Sequence, residues 1–86
     1  MPHMIVETVF DPPISEEDFD AQAAKLDPCL TGHGVRWLRS YMSLDRKRRV
    51  CVFDAPDADA VRTSFRSAGV KFERVWPAEE ITDDEG

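Results

Sequence analysis

The run "VRWLRSYMSLDRKRRVCVFDA", residues 35–55, decides the fold. Two strand-length segments, VRWLRSYMS (35–43) and RVCVFDA (49–55), are rich in β-branched and aromatic residues, and the polar LDRKR (44–48) connects them as a hairpin. Alternation through the first segment sets Val35, Trp37, Arg39 and Tyr41 on one face and Arg36, Leu38, Ser40 and Met42 on the other. In the second, Cys51 alternates with Val50 and Val52 and points the same way as Phe53.

Working outward, MIVETVF (4–10) reads as another strand, stopped by DPP (11–13). Ser15 then caps a helix whose first turn is acidic, which suits the positive end of the helix dipole. Phe19, Ala23, Leu26 and Leu30 recur at helical spacing. Pro28 interrupts that stripe and predicts a kink, or a second short helix capped by Asp27; GHG (32–34) ends the segment. Downstream, Asp57 caps a second helix with Val61, Phe65 and Ala68 as its apolar stripe and Gly69 as its stop. KFERVWP (71–77) makes a fourth strand closed by Pro77. The order βαββαβ, with right-handed crossovers, gives an α+β, ferredoxin-like fold: an antiparallel sheet with both helices on one face. The expected organisation is a single domain over residues 1–81 and an acidic, disordered tail over 82–86. Helices on one face leave the other face of the sheet to solvent or to a partner.

With 86 residues, the chain is long enough for one thin core; a chain of this size buries roughly 60–65% of its unfolded surface. Small domains often gain stability by pairing, so a homodimer is expected. The net charge of −6 argues against nucleic acid and against an anionic membrane surface as partners. The basic RKRR (46–49) leads into a strand without the glycine–aromatic signature of RNA-recognition modules that share this fold, and it reads as a solvated connection. Neither a leader pattern nor a membrane-length apolar run is present, and cytoplasm is the expected location. Cys29 and Cys51, far apart and in no metal-like spacing, read as free thiols.

Glu7 is the residue with most chemistry to offer. It lies mid-strand among Ile5, Val6, Thr8 and Val9, in a strand central to this fold. A carboxylate buried without a partner is costly, so Glu7 belongs on the open face, with Arg39 and Arg74 as partners and Trp37, Tyr41 and Trp76 around them. Such a cluster suits a dimer interface, or a pocket where Glu7 serves as base or ligand beside Tyr41. Cys51 reads as a core or interface residue; on the open face it would neighbour Glu7, which raises its pKa and makes it a poor nucleophile. His3 stands in MPH, where Pro2 removes an amide proton that an amino-terminal square-planar metal chelate needs. It reads as a solvated residue or a weak ligand. His33, between two glycines, reads as a helix-end cation or a surface ligand.

Trp37, Ser40 and Tyr41, then Cys51, Phe53, Ala55, Pro56 and Asp57 (CxFxAPD), then Ala60, Val61, Arg62 and Gly69, together with MIVE (4–7), resemble a family of small bacterial ferredoxin-like, nickel-binding proteins once filed as a domain of unknown function. The resemblance covers nearly the whole chain. It implies a homodimer built through the sheet, with nickel held at the dimer surface. Relatives often carry a histidine where Ser64 stands. The expected function is that of a dimeric, non-enzymatic divalent-metal (nickel) binder serving sequestration or metal response. His33, His3 and Glu7 are the candidate ligands in that order, and no organic cofactor or catalytic residue is evident. The alternative is a small-molecule binder or small enzyme using the open face around Glu7, Arg39 and Tyr41, with Trp37, Cys51, Arg74 and Trp76 as further lining or interface residues.

Overall fold

The computed structural model describes residues 3–83. The Met1–Pro2 part of the amino-terminal motif and residues 84–86 of the acidic tail lie outside them. The elements are β1 (His3–Val9), α1 (Glu16–Gly32), β2 (Arg36–Met42), β3 (Arg48–Asp54), α2 (Ala58–Ala68) and β4 (Arg74–Ala78). They form a four-stranded sheet in the order β2-β3-β1-β4, with every neighbouring pair antiparallel. Both helices lie on one face, over Met4 and Val6 of β1, Cys51 and Phe53 of β3 and Val75 of β4. This is the ferredoxin-like βαββαβ arrangement that the segment order predicts.

Local chemistry sets the helix ends. The Asp18 backbone N–H donates to Ser15 Oγ at 3.0 Å, and the Ala60 backbone N–H donates to Asp57 Oδ1 at 2.8 Å, each relieving one orphan donor of a first turn. Gly69, at φ 71, ends α2 in the left-handed region where a side chain is strained. At Pro28 the second short helix does not form, because the first helix runs through the proline as one element. Proline in a helix interior costs about 3 kcal/mol. Leu26 and Leu30, buried on either side of it, hold this stretch against the sheet.

Two strand details also differ. β4 begins at Arg74 and includes Pro77, so the proline does not close it; β4 is an edge strand, where a missing N–H is tolerated. In β2 the register shifts between Trp37 and Arg39, leaving Leu38 as the extra residue of a bulge. Directly opposed residues share a face. Trp37, Ser40 and Met42 therefore join Phe53, Cys51 and Arg49 on the helix side, while Arg36, Arg39 and Tyr41 join Asp54, Val52 and Val50 on the open side. The unbroken alternation expected for residues 35–43 does not hold across the bulge.

Candidate functional site

The open face collects the residues that the sequence singled out on β1 and β4. Ile5 and Trp76 are opposed, as are Glu7 and Arg74. The Trp76 indole N–H donates to Glu7 Oε2 at 2.7 Å, and Arg74 Nε stands 3.8 Å from the same oxygen. Glu7 is thus half-buried and held by an indole and a guanidinium, the partnered state that its place in a central strand demands. Tyr41 lies across Val50 from Glu7, two strand spacings or roughly 10 Å away. Arg39 lies opposite Val52 and lines a shallow cleft of about 130 Å³ with His3, Ile5, Ala78 and Glu80; Glu7 and Tyr41 are not in its wall. Glu7, Trp76 and Arg74 form one group, and Arg39 belongs to another.

That second group sits at the sheet corner where β1 begins and β3 ends. His3 Nε2 is 3.9 Å from Asp54 Oδ1 and 3.7 Å from Glu80 Oε1, and Arg36 Nη2 is 3.5 Å from Asp54 Oδ2. Asp54 and Glu80 escaped the sequence reading because only the β1–β3 and β1–β4 registers bring them to His3. The three metal candidates are not brought together. His3 and Glu7 share the open side of β1 but are four residues apart, roughly 13 Å. His33 caps the carboxyl end of α1, exposed, with Nδ1 2.8 Å from the Cys29 carbonyl oxygen. A carbonyl oxygen only accepts, so Nδ1 donates in that contact and Nε2 is the ring nitrogen not engaged by it. Among the described residues, no group of three or more His, Cys, Asp or Glu side chains is arranged to hold a metal ion. Ser64 is wholly buried between the helices, its hydroxyl donating to the Ala60 carbonyl at 2.8 Å, with the Cys29 carbonyl at 3.2 Å.

Trp37 and Cys51 fall on the opposite side from Glu7, which corrects the expected place of Trp37 on the open face and, of the two alternatives for Cys51, gives the core. The Trp37 indole N–H donates to Ser40 Oγ at 2.9 Å, and Ser40 Oγ donates to Cys51 Sγ at 2.8 Å. Burial pushes the Cys51 thiol up; the neighbouring Arg49 guanidinium and the Ser40 hydroxyl act in the other direction without overcoming it. A protonated thiol at neutral pH is a poor nucleophile. The unfolded chain ionises Cys51 near its ordinary value of 9.0, whereas the folded chain does so only above it. Folding stability is therefore fully present below that pH and falls as pH rises through the raised value. Urea unfolding of the wild type should show the midpoint dropping as pH rises above 9.0, and more steeply than in Cys51→Ala. Equal pH slopes in the two proteins would refute the buried-thiol account.

Arg49, expected as part of a solvated RKRR connection, is instead a β3 residue only 4% exposed, because its place in the strand turns it to the helix side. Its guanidinium lies over the Phe10 ring at 5.1 Å and the Phe19 ring at 5.5 Å. Its Nη atoms reach Gln22 Oε1 and Thr8 Oγ1 only at 3.4 Å, and its Nε–H has no partner. Parity with Phe53 was the available signal, since alternate residues of β3 share the core side.

A four-stranded antiparallel sheet with paired helices on one face and an aromatic, arginine-bearing open face defines a small ferredoxin-like α+β protein. Within that class, the chain belongs to the family described as "Nickel responsive protein SCO4226-like", whose profile matches residues 3–78. The crystal structure of SCO4226 from Streptomyces coelicolor A3(2) superposes with a TM-score of 0.82 at 14% identity, covering 93% of this chain and 99% of that one, a likeness of fold. No curated protein matches the chain in sequence. No helix among the described residues is long and apolar enough to cross a membrane.

Proposed function

We propose that the protein is a homodimeric, non-enzymatic divalent-metal binder of the cytoplasm, and that nickel is the ion it takes. The observation that carries this reading is the corner where His3 Nε2 faces Asp54 and Glu80 at 3.9 and 3.7 Å, in a member of a family named for its nickel response. An imidazole and two carboxylates are donors that nickel accepts. Neighbouring ligands of one small ion stand roughly 3 Å apart, so these side chains draw together on binding and the set from one protomer alone is weak. A donor from the second copy completes it.

The open face supports the pairing. Trp76 and Tyr41 are 43% and 63% exposed there, among Arg36, Arg39 and Arg74, and aromatic residues with arginine are the side chains enriched at interfaces. Two free cysteines suit a reducing compartment. The protonated Cys51 and the Glu7 carboxylate held by Trp76 and Arg74 support a binding role over a catalytic one. His33 offers a separate, single donor.

Native mass spectrometry of the untagged protein titrated with Ni(II), Zn(II) and Cu(II) tests this reading. A dimer that retains nickel at micromolar concentration is expected, with affinity at least tenfold weaker in His3→Ala and little changed in His33→Ala. Retention by His3→Ala together with loss in His33→Ala moves the site to the end of α1. A monomer without nickel at micromolar excess overturns the proposal.

A further inference from the structure

On the other side of the sheet, a cleft of about 310 Å³ opens between α1 and the β2–β3 edge. Phe19, Leu26, Leu30, Trp37 and Phe53 are the large apolar side chains of its walls, and Arg49 lies in its lining. That volume is at the small end of ligand pockets, which span about 300–1,000 Å³. A cleft needed only for packing is well served by a hydrocarbon side chain at position 49. Instead it carries a guanidinium that is nine-tenths and more buried, with an unpartnered Nε–H and two long contacts to neutral oxygens. None of the ion pairs among the described residues includes it. An isolated buried charge is expensive, and an anion inside the cleft relieves it.

We infer that this cleft binds a small organic acid, its apolar body between α1 and the sheet and its carboxylate on Arg49. A monocarboxylate fits better than a phosphate. Two further donors of the wall are spent within the protein, the Trp37 N–H on Ser40 and the Ser40 hydroxyl on Cys51, and the others, the Gln22 amide and the Cys51 thiol, are neutral, so Arg49 is the wall's one cation. A single guanidinium matches one negative charge, and the apolar walls match a hydrocarbon body. Asp27 is part of the lining but exposed, so water screens it from a carboxylate held deeper. This site is independent of the metal reading and lies on the opposite face of the sheet from His3.

The test is an NMR titration of the full chain with sodium octanoate and, separately, with octan-1-ol and inorganic phosphate. Octanoate is expected to bind once per protomer, shifting the Arg49 Nε–H and Trp37 indole N–H signals, with the alcohol at least tenfold weaker and phosphate without effect. In Arg49→Met the preference for the acid should vanish while the alcohol binds as before. Ala23→Trp, at an exposed position on the helical lip of the cleft, should block both without touching Arg49, which keeps the test decisive where Arg49→Met does not fold. Equal affinity for acid and alcohol in the wild type, shifts confined to the open face, or no shift at all would overturn the assignment.

Discussion

Phe65→Ala is expected to remove a large part of the protein's stability. The Phe65 ring is wholly buried on α2 and meets two others edge to face: Phe53 of β3 at 5.8 Å and Phe72, in the lead-in to β4, at 5.7 Å. It therefore joins the second helix to a central strand and to the chain that enters the edge strand. Truncation loses the transfer free energy of the ring and leaves a cavity that Phe53 and Phe72, held by their own backbones, fill only in part. Such changes cost about 3–5 kcal/mol. At roughly 0.05–0.15 kcal/mol per residue, a chain of this length has about 4–13 kcal/mol in total. The variant should populate unfolded molecules at room temperature and melt on the order of 20 °C lower. Urea unfolding followed by far-UV circular dichroism, with Phe65→Leu as a milder control, measures the loss. A deficit under about 1 kcal/mol would mean that Phe65 does not tie these elements together.

The order of elements was legible because each boundary carries its own local chemistry: Ser15 and Asp57 at helix starts, Gly69 at a helix end, β-branched residues along β1 and β3. Glu7 was legible for a related reason, since a carboxylate amid Ile5, Val6, Thr8 and Val9 has few places to go in a central strand. Face assignments were not. A bulge adds one residue, and nothing in the chemistry of Leu38 marks it, yet every side chain before it changes sides relative to those after. Trp37 was misplaced on that account. Cys51 was ambiguous because the set Arg49, Cys51, Phe53 mixes a full charge with core residues, whereas Val50 and Val52 are uniformly apolar. Local pattern favours burying the valines. Tertiary packing put Arg49 inside, between two phenylalanine rings. Pro28 shows the same override, because Leu26 and Leu30 keep a helix that the proline alone would break.

Arg49→Met, made together with Thr8→Val, is expected to stabilise the protein. Thr8 is buried and its hydroxyl is one of the two acceptors facing the guanidinium, so removing both polar partners avoids stranding one of them. What the arginine contributes is limited. Two contacts at 3.4 Å lie at the weak end of hydrogen bonding, and the Phe10 and Phe19 rings add cation–π attraction of roughly 0.5–2 kcal/mol. Against this stands the effective penalty for burying an ion, still several kcal/mol, and an Nε–H with no acceptor. Methionine is apolar, flexible enough to fill the same channel, and gains sulfur–aromatic contact with the two rings. The balance favours the variant by about 1–4 kcal/mol, or a melting temperature higher by several degrees. Thermal unfolding with and without octanoate reads both halves of the argument. Octanoate at a hundred times its wild-type dissociation constant should raise wild-type stability by about 2.7 kcal/mol and that of the variant, which binds it at least tenfold more weakly, by about 1.4 kcal/mol or less. A variant less stable than wild type by more than about 1 kcal/mol would make Arg49 a structural clamp, its two aromatic faces sufficient reason for a charge in the core.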